Sequence, residues 1–342
     1  MSTNTETPQT DGPIHHGFGL DHPEDRRRLI LGGAAAAFIL YAYCIARTCL
    51  LGITGSPPTS LLGWLLAFWN SDPEYAHGYL VPLITAGLCV WKWRIRLHAV
   101  PLGSSAIGLW LVVAAIFLYW IGVRGTVARI TAGSLIVLLF GVILYLAGWQ
   151  WAKELWFPCV FLIFMIPLNF LDPLSLRLRM FVAETATGLL STFGMAVYRV
   201  GTRICSSTHM FADLDVADPC SGLRSLVALM ALASLYGYVT MDRGWKKWAL
   251  FFASVPLAII GNLARITTVA LVAQGFGEEV AMKVYHDYSG YIVFSLAILC
   301  MIALGAFLNL NFRQIIYRWT QEEVAVPRPP QSKNENKRQK SA

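Results

Sequence analysis

Residues 247–273 read KWALFFASVPLAIIGNLARITTVALVA, and this run decides the fold. About 20 helical residues cross the ~30 Å hydrocarbon layer of a bilayer, so a run of this length and apolarity is a transmembrane helix. Comparable runs occur near 29–51, 78–94, 103–123, 127–148, 155–171, 222–239 and 290–311. The composition agrees: 56% of residues are hydrophobic and 14% charged, with a mean hydropathy of +0.54, which places the chain among membrane proteins. The expected fold is an all-α polytopic bundle of about eight spans.

Charge orients the spans. Arg26, Arg27 and Arg28 precede the first run, which sets the N-terminus in the cytoplasm. A twin-arginine export signal is the competing reading, but Arg47 and further spans follow without a cleavage site. Alternation then puts Lys92, Arg94, Arg96, Lys153, Arg243, Lys246, Lys247, Arg313 and Arg318 inside, against Arg124, Arg129 and Lys283 in short outer loops. Both termini are expected to be cytoplasmic in an inner, or plasma, membrane. The net charge of +7 is therefore anchoring charge, and no nucleic-acid partner is expected. Residues 1–28 read as a disordered tail, 29–311 as the transmembrane domain, and 312–342 as a basic, largely disordered tail. The stretch FVAETATGLLSTFGMAV, within 173–200, reads as an outer amphipathic or re-entrant helix between spans five and six, since a ninth span would turn the later basic loops outward.

The seven cysteines show no CxxC spacing, so neither a zinc site nor a disulfide scaffold is expected. Cys220 opens the sixth span from outside, and His286 lies just before the eighth. Arg265 lies about 18 residues along the seventh, which lifts it roughly 27 Å from the inner boundary. Three reactive side chains thus reach one depth on one face. A thiol at a helix start gains from the helix dipole and from Arg224 four residues on. A histidine can carry protons during acyl transfer, and an arginine can stabilise an oxyanion. Taken singly, each has a bland reading: a packed thiol, a solvated helix cap, a snorkelling arginine. Together, with Asn262 three residues from Arg265 on one helix face, they suit a polar cleft.

Three segments, PCSGLRSL (219–226), GNLARIT (261–267) and HDYSGYIVF (286–294), closely resemble the signature blocks of the exosortase/archaeosortase family. DPEYAHGYLVPLI (72–84), which contains His77, and FPCVFLIFMIPL (157–168) resemble its N-terminal blocks. The resemblance runs from about residue 30 to 310, in the family's order. It implies a membrane cysteine protease or transpeptidase acting on exported proteins that carry a C-terminal sorting signal of a short motif such as PEP, an apolar helix and a basic cluster. The implied site falls on Cys220, Arg265 and His286, with Cys220 the nucleophile. The implied partners are those exported proteins, membrane lipid and an acceptor nucleophile. Many bacterial members accompany exopolysaccharide production. No cofactor or metal is called for.

Arg224, Asn262 and His77 read as supporting residues, His77 more plausibly ordering the loop into the second span than acting as acid or base. Asp213, Asp215 and Asp218 alternate along FADLDVADP as a solvated extended segment rather than a cation site. A Cys205–Cys220 disulfide would mask the nucleophile. The competing function is a transporter or exopolysaccharide-export component, with Arg265 and Asn262 lining a solute path, but no inverted repeat is visible.

Overall fold

A computed structural model describes residues 23–50, 57–71, 73–167, 172–207, 214–215, 223–277, 279–281 and 290–310. Helix α1 spans Pro23–Ile39 and continues as a π-helical segment over Leu40–Ile45. It thus starts before the arginines rather than after them. Proline suits a first helical turn, acidic Asp25 favours the positive helix start, and Asp25 pairs with Arg28 at 3.7 Å. Helix α2, Leu61–Ser71, follows. The 3-10 turn Pro73–Tyr79 then leads into α3, Leu80–Ile95. Next come α4, Ala106–Arg124, α5, Ala128–Leu146, and α6, Trp149–Phe161, the last extended by a 3-10 turn to Met165.

Helix α7, Asp172–Thr192, covers most of the stretch read as an outer helix. Its end departs from that reading. Gly194 turns the chain at φ 82°, and Val197–Val200 is strand β1 of a small antiparallel sheet with β2, Arg203–Ser206, and β3, Leu214–Asp215. The four-residue strands fold back at Gly201, φ 64°. Asp215 is extended as expected; Asp213 and Asp218 lie outside the described residues. The chain ends its described part with α8, Leu223–Thr240, α9, Gly244–Phe276, and α10, Gly290–Asn309.

The protein is an integral membrane protein of nearly all-α architecture. Among the described residues, five helical segments are long and apolar enough to cross a membrane: Asp25–Ile45, Ala106–Arg124, Ala128–Leu146, Gly244–Phe276 and Ile292–Asn309. Bilayer-embedded helices gain little from hydrophobic burial against one another, so close backbone packing carries their association. The hairpin of α4 and α5 shows this. A Cβ on Gly108 would sit 2.6 Å from Tyr145 Cα, and one on Gly122 would sit 2.7 Å from Thr131 N. The buried Tyr43 hydroxyl shares a 2.9 Å hydrogen bond with Ser134 and joins α1 to α5.

One end of the bundle is basic. Lys92 and Arg96 at the end of α3 hold Glu154 of α6 at 2.8 and 2.9 Å. Tyr238 of α8 stacks on Phe157 and lies under both Lys92 and Lys247. Gly32 of α1 faces Leu146, the last residue of α5. Glu154→Ala strands the half-buried Lys92 and is expected to cost about 1–3 kcal/mol. Arg96→Ala, at 64% side-chain exposure, is expected to cost less than ~1 kcal/mol. Thermal unfolding in detergent checks the ranking.

Candidate active site

Helix α9 has 33 residues and is about 48 Å long, which exceeds the ~30 Å hydrocarbon layer. Trp245, Lys246, Lys247 and Trp248 occupy its first turns, where interfacial residues belong. Counting from Lys247, Arg265 rises about 27 Å, close to the thickness of that layer. Beyond that level one face of the helix is covered by protein: Ile266, Ala270 and Ala273 pack on Val182, Ala183, Ala186 and Leu190 of α7, with Met195 and Ile204 of the hairpin segment. This cap carries charge, and Arg199 of β1 lies 3.9 Å from Glu184 of α7. Cys205 is buried in β2 at 4% exposure.

Helices α8, α9 and α10 form a tight trio around Leu229, Ala233, Leu250, Ala258 and Met301. Asn309 Nδ2 donates to Thr240 O at 3.2 Å, so the last turns of α8 and α10 meet. Gly305 packs on Tyr236, where an added Cβ would overlap the ring. The two helices therefore run in one direction, antiparallel to α9, and their first turns lie beside the second half of α9. There a cavity of about 40 Å³ opens, lined by Leu229, Gly261, Asn262, Arg265, Val293 and Phe294. That volume admits a water or two. Asn262 is 8% exposed and Arg265 is half-buried; neither is a free side chain.

The structure thus brings Arg265 and Asn262 onto one cavity wall at the starts of α8 and α10. Cys220 and His286 lie outside the described residues. Arg224 is in the first turn of α8. Among the described residues, no three His, Cys, Asp or Glu side chains gather as a metal site would require.

His77 is half-buried on the 3-10 turn Pro73–Tyr79. That turn is fixed by its neighbour Gly78, where a Cβ would come 2.6 Å from Trp69 Cδ1. Trp69 in turn donates from Nε1 to Met165 O at 2.9 Å. Leu229, Gly261, Val293 and Phe294 were not singled out from sequence. Apart from the glycine beside Asn262, nothing in their local patterns separates a cavity wall from a lipid-facing side.

No curated protein and no solved structure matches the chain. The sequence model of the family described as transmembrane exosortase (Exosortase_EpsH) matches residues 69–303. That range takes in the His77 turn, the cavity and all three residues of the expected site, and it spans well over half of the chain: the protein belongs to the transmembrane exosortase family.

Proposed function

We propose that the protein is a membrane cysteine transpeptidase that removes the C-terminal sorting signal of exported proteins and passes them to an envelope acceptor. Arg265 carries the reading: a guanidinium two-thirds of the way along α9, beside the first turns of the two helices that follow Cys220 and His286 in the chain. Cys220 precedes Leu223 by three residues and His286 precedes Gly290 by four. Chain length alone keeps them within about 11 and 14 Å of those helix starts.

In this mechanism the Cys220 thiolate attacks a peptide carbonyl of the signal. Electrons move onto the carbonyl oxygen, and Arg265 stabilises that oxyanion. As the tetrahedral intermediate collapses, the C–N bond breaks and protonated His286 delivers its proton to the departing amine. The signal's apolar helix leaves, and the exported protein remains as a thioester on Cys220. An acceptor nucleophile, deprotonated by the now neutral His286, attacks the thioester and restores the thiolate.

The chain makes eight passes in this reading, with both termini cytoplasmic. The α7 cap and its sheet lie on the outer, periplasmic side, and the Lys92–Glu154–Lys247 end faces inward. Basic residues gathered at one end and a charged cap at the other support that orientation.

The test is co-expression with an exported reporter bearing a short motif, an apolar helix and a basic cluster at its C-terminus. The expected result is a reporter shortened by the helix and basic cluster. A reporter that keeps its tail beside abundant folded enzyme contradicts the proposal.

A further inference from the structure

We propose that the slot between α1, α4 and α5 binds one acyl chain of a phospholipid whose anionic headgroup is held by Arg27. In the orientation proposed above, that lipid belongs to the inner leaflet. The site shares no residue with the Arg265 cavity and does not depend on the peptidase reading.

The slot follows from how α1 meets the α4 and α5 hairpin. Helix α1 is tied to α5 at two levels: Gly32 faces Leu146, and the Tyr43 hydroxyl, on the π-helical continuation, is bonded to Ser134. Between those ties a cavity of about 220 Å³ remains. Its extremes are Leu31 and Phe38 on α1, Leu109 and Ile116 on α4, and Leu138 and Leu146 on α5. Each pair is seven or eight residues apart, so the slot runs roughly 10–12 Å, within the ~15 Å of one leaflet. One end lies where α4 begins and α5 ends. The other stops at Phe38, whose ring meets that of Tyr119 edge-on at 6.2 Å.

Size and charge together select the occupant. A further helix, 10–12 Å across with its side chains, fills about 800 Å³ or more over that length, several times the volume of the slot. A single hydrocarbon chain is the thinner object, and the lining is aliphatic apart from Phe38 and Tyr145. Charge marks the mouth. Arg27 lies four residues before Leu31 and Arg28 three, so both flank the stripe of Leu31, Ala35 and Phe38 that lines the slot. Arg28 shares its charge with Asp25 at 3.7 Å, whereas Arg27 is exposed. A guanidinium fork can meet a phosphate through two hydrogen bonds. A headgroup of net negative charge is drawn further by the run of Arg26, Arg27 and Arg28.

The probe is dioleoylphosphatidylglycerol, compared with dioleoylphosphatidylcholine, which has the same chains and no net charge. Each is titrated against the full chain in detergent, and bound lipid is counted by native mass spectrometry. The expected result is one phosphatidylglycerol held about fivefold more tightly than phosphatidylcholine, the worth of one basic residue at an anionic surface. Arg27→Gln is expected to remove that preference and leave phosphatidylcholine binding nearly unaltered. An arginine that merely anchors α1 would change the unfolding temperature and leave the preference in place. Ala35→Phe, which fills the slot from the middle of its α1 wall, is expected to lose both lipids. If that variant does not fold, Leu109→Phe narrows the slot from an exposed position on α4 and is read in the same way.

Equal binding of the two lipids, a preference that survives Arg27→Gln, or binding that survives filling of the slot overturns the proposal. So does a protein occupant, seen as a second copy of the chain that phosphatidylglycerol fails to displace. None of these outcomes involves cleavage of a reporter. Failure here therefore leaves the peptidase reading standing, and a reporter that keeps its tail leaves this proposal standing.

Discussion

Arg265→Lys is expected to slow loss of the reporter's tail by about 10²–10³-fold, the usual effect of removing one oxyanion donor. Lysine keeps the positive charge, so a site that needed only charge would tolerate it. The guanidinium differs in presenting a planar fork of donors that can meet a carbonyl oxygen and a neighbouring group together. The small cavity beside Asn262 leaves little room for a flexible ammonium to find the same position through intervening water. The measurement is the initial rate of tail loss at matched amounts of folded protein, with the unfolding temperature as a control for packing. Near-normal rates in the lysine variant would mean that Arg265 supports the helix trio without touching the reacting carbonyl.

Cys220→Ala is expected to abolish processing while leaving the helix trio intact. The trio packs through Leu229, Ala233 and Met301, residues that the substitution leaves unchanged. The substitution removes the only atom that forms the covalent intermediate. It should therefore give an enzyme that still binds the signal and accumulates the uncut reporter. A fall in folded protein parallel to the fall in processing would contradict that expectation.

The long apolar runs showed in the sequence because crossing a bilayer imposes a length and a composition that few other demands impose. Helix α2 did not. LLGWLLAFWN is too short to cross, and its burial through Trp64, Leu65 and Trp69 depends on partners far away in the chain. The sheet was equally obscure, since its strands are two to four residues long. Within FVAETATGLLSTFGMAV, the break after Thr192 is marked only by Gly194.

The site divides in the same way. Arg265 and Asn262 were legible because polar groups are expensive within an apolar run and stand out there. Their cavity was not, because Leu229, Val293 and Phe294 have the same composition whether they face lipid or a cleft. His77 was visible as a residue, but the setting of its turn depends on how Gly78, Trp69 and Met165 fit together. Residue spacing alone carries no trace of that fit.

The central claim is that Cys220 carries the exported protein as a thioester, and trapping that species tests it most directly. Purified enzyme in nanodiscs is mixed with the tailed reporter, quenched in acid, digested and read by mass spectrometry. The account predicts a hydroxylamine-labile adduct linking Cys220 to the reporter's new C-terminal residue, absent in Cys220→Ala. An adduct on another cysteine, or continued processing in Cys220→Ala, would contradict it.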